Sequence, residues 1–387
     1  MLKLLFWASA GLVVYVYVGY PVLVDLLSRW RGVSRDAFKA LPQLPSVTVL
    51  IPAHNEEQWI RRKIENTLDL DYPKGQMEIV VASDGSDDRT AVIAGEFADR
   101  GVRVVAFPTR LGKQEMLNRV VPKATGEIIV ATDTNALLAR DALRKLLRHF
   151  SDPAVGGATG RRVCIIQERS VPSEGEGLYW RYDSWIKESE SRMHSCLGAH
   201  GQLYAIRKAV FPHVEKVGED FYASMKVVTT TGQRIIYEPE AVAAIPAAAS
   251  LSIEFERKMR AQMSLLLTLP LMWDLLLPWR SPVWWQYISH KLGRMFVPPA
   301  LLLMLVCSAA LALASRFYLA ICLAQVVFYL LAAVGAILAK YGHRPKLFYV
   351  PFYFTFANAA VGLGWLRWPR RKYDYAWQPT ERLTDRS

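Results

Sequence analysis

The sequence predicts an α/β domain with a mostly parallel sheet, set on the cytoplasmic face of a membrane by one N-terminal and about three C-terminal transmembrane helices. Between Leu41 and about Ala249, short apolar runs alternate with amphipathic helical stretches, the pattern of a parallel sheet covered by helices on both faces. Outside that stretch stand four uncharged runs, Leu4–Val24, Met295–Ser315, Phe317–Ala339 and Leu347–Leu366. Each is long enough as a helix to cross about 30 Å of hydrocarbon. The chain is also 52% hydrophobic with a net charge of +12. Membrane helices with basic flanks produce that combination; a cytosolic enzyme rarely does.

The first run reads as a retained anchor over residues 1–30, because no small-residue cleavage site comes after its apolar core. Tyr15, Tyr17, Tyr20 and Trp30 suit a membrane interface, and Arg29, Arg31, Arg35 and Lys39 place the next segment on the cytoplasmic side. The expectation is a multi-pass protein of the inner (plasma) membrane. Cys164 and Cys196 have no CxxC spacing, and Cys307 and Cys322 lie in apolar runs. Neither a disulfide framework nor a zinc site is indicated.

The soluble part spans residues 40–262. Strands are expected at Val47–Ile51, Met77–Ala82, Val102–Phe107 and Glu127–Thr132, with helices at Glu56–Leu68, Arg89–Ala98, Gln114–Lys123 and Arg140–Phe150. In such sheets ligands bind beyond the carboxyl ends of the strands. Those ends read Pro52-Ala53-His54-Asn55-Glu56-Glu57, Ser83-Asp84-Gly85-Ser86 and Asp133-Thr134-Asn135, so acceptor-rich residues gather on one rim. Ser86, Asp87 and Asp88 read as helix-start residues favoured by the dipole, whereas Asp84 stands at the strand end, level with Glu56 and Asp133.

The ordered set PAHNEE, SDGSDD, LGKQEMLN, ATDTN, GED and RKMR, succeeded by clustered membrane helices, resembles the family 2 glycosyltransferases. It is similar in particular to the membrane-integrated branch of hyaluronan-, cellulose- and poly-N-acetylglucosamine-synthase-like enzymes, and the resemblance covers nearly the whole chain. It implies a Rossmann-like GT-A fold, a nucleotide-sugar donor (a UDP-sugar first), Mg2+ or Mn2+, and inversion at the sugar carbon. By resemblance Glu56 and Asp84 hold the donor's base and ribose, and Lys113 stands near its diphosphate as a point charge. Asp133 takes the first position of the metal motif. The third position holds Asn135, which offers a carbonyl oxygen but no charge. Asp220 matches the aspartate that takes the acceptor's proton, with Glu219 beside it on the acceptor side; a base opposite the leaving group is what inversion requires.

Arg257 and Arg260 are expected on the diphosphate. Lys258 has two open readings, a juxtamembrane basic patch attracted to anionic lipid or a catalytic role. The family's tryptophan is replaced by Ala261, which weighs against a long-polymer synthase. Leu178–Arg192 carries Tyr179, Trp180, Tyr182 and Trp185, either an acceptor wall or core packing. His200, in a glycine-rich segment resembling the family's acceptor segment, is equally open between ligand contact and structure.

Residues 263–294 read as an interfacial amphipathic segment, 295–366 as the C-terminal membrane helices and 367–387 as a basic tail. Four crossings place Lys340, His343, Arg344 and Lys346 inside, but Arg367, Arg370, Arg371 and Lys372 outside, against the charge rule. The tail resembles a family element expected near the active site, so its side stays open. The basic excess is assigned to membrane lipids and donor phosphates, with no nucleic-acid partner.

The function expected is an inverting, metal-dependent hexosyltransferase acting on a lipid-linked or envelope glycan acceptor. A processive synthase coupling polymerisation to translocation is the alternative within the class. A transporter is disfavoured because the four runs hold hardly any ionisable residues. A catalytically inactive nucleotide-binding scaffold is the rival from another class.

Overall fold

Val47–Ala53 (β1) is buried at every residue, as expected of an apolar strand with parallel neighbours on both sides. Those neighbours are Met77–Asp84 (β2) and Ile128–Ala131 (β4), and Val102–Phe107 (β3) pairs in parallel with β2. The computed structural model describes residues 1–31, 43–165, 171–214, 218–246, 250–341, 343 and 345–368. Beyond β4 the sheet changes direction. Tyr204–Arg207 (β7) pairs antiparallel with both β4 and Val155–Ile165 (β6), Arg234–Pro246 (β8) runs parallel to β6, and Leu137–Leu138 (β5) closes the edge antiparallel to β8. The strand order is β3-β2-β1-β4-β7-β6-β8-β5.

The two-residue period of a strand explains the layering. Val49 and Ile51 point into one core with Ile60 and Ile64 of Glu57–Leu68 (α3) and Leu143, Leu146 and Leu147 of Ala142–Leu147 (α6). Leu50, between them, points into the opposite core with Met116, Leu117 and Val120 of Lys113–Val120 (α5). Thr90–Gly95 (α4) comes after β2. The second half of the sheet carries Val171–Met193 (α7), Glu219–Thr231 (α8) and Leu251–Thr268 (α9). Ser250 caps α9, its Oγ accepting the Ile253 N–H at 3.3 Å.

Among the described residues four helices are long and apolar enough to cross a membrane: 2–30, 284–312, 316–340 and 346–367. The first joins Leu2–Val14 (α1) to Tyr20–Arg31 (α2) through a π-turn at Tyr15–Gly19. The second starts at Trp284–Gln286 (α10) and passes through a π-turn at Tyr287–Leu292 into Gly293–Ala312 (α11). The third and fourth are Arg316–Lys340 (α12) and Lys346–Arg367 (α13). The helix that contains the run starting at Met295 therefore begins three turns earlier, and α9 continues into a 3-10 stretch, Leu269–Leu276, kinked at Met272. The extra turns of the second span carry His290, Lys291 and Arg294, ionisable residues that interrupt an apolar window but face the sheet domain. Arg35, Lys39, Arg344 and the tail residues Arg370, Arg371 and Lys372 lie outside the described residues.

Both halves of α13 lie along α9. Phe356 meets Phe255 with ring centroids 5.2 Å apart, and a Cβ on Gly364 would come within 2.9 Å of Gln262 Cγ. At its end Arg367 reaches Glu256 at 3.4 Å.

Candidate active site

The crevice at the ends of β1, β2 and β4 is built from the acidic rim the sequence singles out. Gly85 turns the chain after β2 with φ +61°, and a Cβ there would come within 2.5 Å of Arg110 N; only glycine takes that conformation without cost. This close approach lets the buried Asp84 carboxylate accept the N–H groups of Leu111 (2.6 Å) and Gly112 (2.9 Å) at the start of α5. His54 Nδ1 donates to the Asp84 carbonyl at 2.7 Å. Glu56 is buried at the head of α3, its N–H donated to Thr90 Oγ1 at 2.8 Å. Asp88 accepts from Thr90 N (2.9 Å) and Glu57 N (3.1 Å). Burial raises its pKa, but the bonds from Thr90 and Glu57 outweigh that and hold the carboxyl below its usual value. Asp87 donates its N–H to Asn55 Oδ1. Asp87 and Asp88 thus organise the helix starts.

Asp133 closes the crevice. Lys113 Nζ donates to its Oδ1 at 2.9 Å and Gln202 Nε2 to its Oδ2 at 3.0 Å. Asn135, buried two residues on, has an Oδ1 with no hydrogen-bond partner among the described residues. An unspent buried carbonyl two residues from Asp133 fits a hard divalent cation, which takes oxygen ligands and fills the rest of its shell with substrate phosphates and water. No cluster of three or more His, Cys, Asp or Glu that could hold a metal occurs among the described residues. Beneath this corner Lys63 is fully buried, donating to Thr132 Oγ1 at 2.8 Å and to the Ala136 carbonyl. Burial lowers its pKa to about 7, with the Asp133 charge pulling the other way.

Asp220 approaches from another segment. It sits in the first turn of α8, which starts at Gly218 in the left-handed region (φ +57°). Its Oδ2 accepts the Gly201 N–H at 2.8 Å and its Oδ1 accepts the Phe221 N–H at 2.8 Å. A Cβ on Gly201 would stand 3.3 Å from Lys113 Nζ and 3.4 Å from either Asp133 oxygen. Lys113, Asp133 and Asp220 therefore converge on one glycine.

From Asp220 a cavity of about 780 Å³ opens between the sheet domain and the membrane helices. Trp180 lines it, with the Arg162 guanidinium 4.2 Å over its ring. Arg257 and Lys258 also line it, both paired with the buried Glu254 (2.5 and 3.2 Å). Burial lowers the Lys258 pKa although Glu254 opposes it, and its Nζ lies 4.4 Å from the Tyr179 ring centre. His200 is in the wall, its Nε2 accepting from Lys187 Nζ at 2.9 Å. Burial first and then Lys187 hold the imidazole well below its ordinary pKa, so it is a neutral acceptor.

Two expected residues stand elsewhere. Trp185 packs with Tyr20, Val24 and Ile186 where α7 meets the N-terminal helix, and Arg260 is half-buried on α9 outside the cavity wall. The side chain of Glu219 lies outside the described residues. Sequence reading missed Lys63 and Lys187, and gave Gln202, in the glycine-rich segment 198–202, no role of its own. Lys63 had a signal: it occupies the buried stripe Ile60, Lys63, Ile64, Thr67 of α3, where a lysine demands an explanation. The buried Glu190 of α7, accepting from Tyr20 Oη at 2.6 Å and His290 Nδ1 at 2.7 Å, joins residues too far apart in the chain for any motif.

Comparison with known proteins is consistent with this geometry. Residues 48–214 match the family model for glycosyl transferase family 2. The chain is 32% identical over 165 residues to a beta-monoglucosyldiacylglycerol synthase of Trichormus variabilis, covering 41% of this chain and 34% of that one. It is also 32% identical over 132 residues to an N-acetylglucosaminyltransferase of Rhizobium leguminosarum bv. trifolii, covering 33% of this chain and 72% of the relative. The match thus spans about a third of the length of the diacylglycerol-lipid relative. Among solved structures, the mannosyltransferase PcManGT from Pyrobaculum calidifontis, in complex with GDP-Man and Mn2+, superposes with a TM-score of 0.69 at 24% identity, over 96% of this chain and 100% of that one. That likeness shows the fold: a GT-A-like mixed sheet with apolar helices at both ends.

Proposed function

The chain belongs to glycosyl transferase family 2, and we propose that it is a metal-dependent inverting glycosyltransferase that moves a sugar from a nucleotide-sugar donor to an acceptor at the membrane. The observation that carries this reading is the convergence of Lys113, Asp133 and Asp220 on Gly201, between a donor crevice and the acceptor cavity. Glu56 and Asp84 lie at the nucleotide end. Asp84 acts through the Leu111–Gly112 turn it holds as well as through any contact of its own. Lys113 supplies positive charge where the diphosphate leaves, and Arg257, on the far wall, adds to it.

A divalent ion on Asp133 and Asn135 would neutralise charge on the departing nucleoside diphosphate. The acceptor hydroxyl forms the new bond to the anomeric carbon as the bond from that carbon to the diphosphate oxygen breaks, and its proton goes to Asp220. The two backbone N–H groups on Asp220 fix the carboxylate's direction. A carboxylate offers about four acceptor positions in all, enough to receive the incoming hydroxyl as well. Single or short-chain transfer is preferred over processive synthesis, because Ala261, which lines the cavity, stands where processive relatives carry a tryptophan. The relative that is a diacylglycerol-lipid synthase supports a lipid acceptor. The basic flanks support the inner membrane with a cytoplasmic catalytic domain.

The test is turnover of a nucleotide-sugar panel, UDP-N-acetylglucosamine first, with Mn2+ or Mg2+ and membrane-lipid extract, the products sized on a gel. Metal-dependent release of nucleoside diphosphate that Asp220→Asn abolishes is the expected result. No turnover of any donor would favour an inactive scaffold.

A further inference from the structure

Six cationic side chains line the cavity beyond Asp220: Arg162, Lys187, Arg257, Lys258, Lys291 and Arg294. Asp220 is the one carboxylate among the described lining residues. Arg257 and Lys258 share Glu254, and Arg294 lies 3.6 Å from Asp183. Lys187 and Lys291 stand in the field of the same buried Asp183, though no carboxylate oxygen lies within ion-pair distance of either among the described residues; Lys187 is buried and bonded to the Gly198 carbonyl and His200. The Arg294 guanidinium donates through one Nη to Tyr179 Oη at 3.2 Å, while its Nε and other Nη are buried with no hydrogen-bond partner among the described residues. Buried donors left unspent in a cationic wall signal a missing anion. A buried guanidinium with nitrogens still open, beside the Tyr182 hydroxyl, suits a phosphate.

The same cavity is amphipathic. Ala261, Leu265, Ala357 and Val361 of α9 and α13 form an apolar side. Phe354 and Asn358 belong both to this cavity and to an apolar groove of about 900 Å³ between α11, α12 and α13. A polar, cationic chamber therefore shares a wall with a groove made for a hydrocarbon chain.

We propose that the acceptor is a membrane amphiphile with a phosphate-bearing headgroup, its phosphate held by Lys187, Lys291 and Arg294 and its chain laid in the groove between α11, α12 and α13. This rests on the glycosyltransferase reading and specifies its acceptor. The phosphate is the recognition element, and the attacking atom is a hydroxyl of the same headgroup placed at Asp220. The donor's own diphosphate is the competing source of the anion. Its proposed partner Lys113 stands with His54, Asp84 and Asp133 in the adjoining crevice, and the nucleotide probes below separate the two sources.

The experiment measures dissociation constants for the full-length protein in neutral detergent, with farnesyl phosphate, farnesol, inorganic phosphate, UDP and GDP as probes. Farnesyl phosphate should bind at least about tenfold more tightly than farnesol, since the phosphate adds charge-assisted bonds. It should also bind more tightly than inorganic phosphate and not be displaced by either nucleotide. Lys291→Met and Lys187→Met should each weaken farnesyl phosphate by about tenfold and leave nucleotide affinity within about twofold. Lys291→Arg should restore binding, which a folding defect would not allow. Ala359→Trp, at an exposed groove position, should weaken farnesyl phosphate but not inorganic phosphate. Equal binding of farnesol and farnesyl phosphate overturns the proposal. So does an equal loss of nucleotide and farnesyl phosphate in the lysine variants, which would assign these cations to the donor. Retained transfer to neutral lipids alone overturns this proposal but not the glycosyltransferase reading, whereas absent nucleotide binding and turnover defeats that reading itself.

Discussion

Asp133 and Asp220 are joined through a single residue: the Gly201 carbonyl accepts the Asp133 N–H at 3.1 Å, and the Gly201 N–H is donated to Asp220 Oδ2 at 2.8 Å. The proposed metal ligand and the proposed base come from segments far apart in sequence, yet their separation is fixed by one peptide unit on either side of one α-carbon. Gly201→Ala would put a methyl 3.3–3.4 Å from Lys113 Nζ and Asp133, tight enough to shift side-chain ends without breaking the fold. Transfer should fall about tenfold or more, since small misplacements at a reacting centre cost up to ~100-fold, while the melting temperature stays close to that of the wild type. A melting drop as large as that of a core truncation would mean the glycine is structural only.

Asp220→Asn removes the proton acceptor but keeps a side chain of the same shape. The rate of sugar transfer should drop by about 100-fold or more, with nucleotide affinity within about twofold of wild type, read by titration alongside single-turnover rates.

Asn135 tests the metal corner. Asn135→Ala should raise the Mn2+ concentration for half-maximal activity, and Asn135→Asp, by adding charge, should lower it. Chelation with EDTA should abolish transfer and added Mn2+ restore it. The readout is activity against free Mn2+ for the three proteins.

Lys63 gives a pH signature in stability. Its folded pKa, lowered by burial to about 7, lies below its unfolded value of about 10.5. Between those values the unfolded chain binds a proton that the folded one does not, so this group's contribution to stability rises with pH from about 7 to about 10. The slope is at most ~1.4 kcal/mol per pH unit. Below about pH 7 the contribution is flat. Lys63→Met should lose that slope, measured as the difference in melting temperature between wild type and variant at pH 7, 8 and 9. An unchanged difference across that range would show that the amine stays charged.

The course of α13 bears on the side of the tail. With Phe356 and Gly364 against α9 and Arg367 on Glu256, this helix ends beside the catalytic domain. We expect a C-terminal green fluorescent protein fusion to fluoresce and an alkaline phosphatase fusion to be inactive. The reverse pattern would establish a full fourth crossing and leave the basic tail outside.

How much of this was legible in the sequence depends on the reach of each interaction. The strands β1 to β4 and their rim of acceptors were readable because apolar runs and motif residues are local: expected Val102–Phe107 is the observed strand, and Val47–Ile51 grows only to Ala53. The far half of the sheet was not, because β6 begins Val155-Gly156-Gly157 and carries Arg161 and Arg162, while β8 holds Pro239 mid-strand. Those residues mask the strand pattern, and the sheet pairing overrides them. Asp84 was found by its place at a strand end, but its grip on the Leu111–Gly112 turn depends on the fold of another loop. Lys187, Lys291 and Arg294 meet only when α7 packs against the membrane helix, so no spacing in the sequence announces them.

The buried carboxylate of Glu190 ties Tyr20 of the first helix and His290 of the second to the enzymatic domain. The N-terminal segment is thus a structural rib of the cavity beside Asp220 rather than a tether. Excising the domain from its helices would strip one wall from the chamber and strand an anion in the cut face. A detergent that prises α7 from the membrane helices would silence the enzyme while its sheet still melts at the usual temperature. For this protein, the apolar helices that make the chain hard to dissolve also wall the cavity beside Asp220.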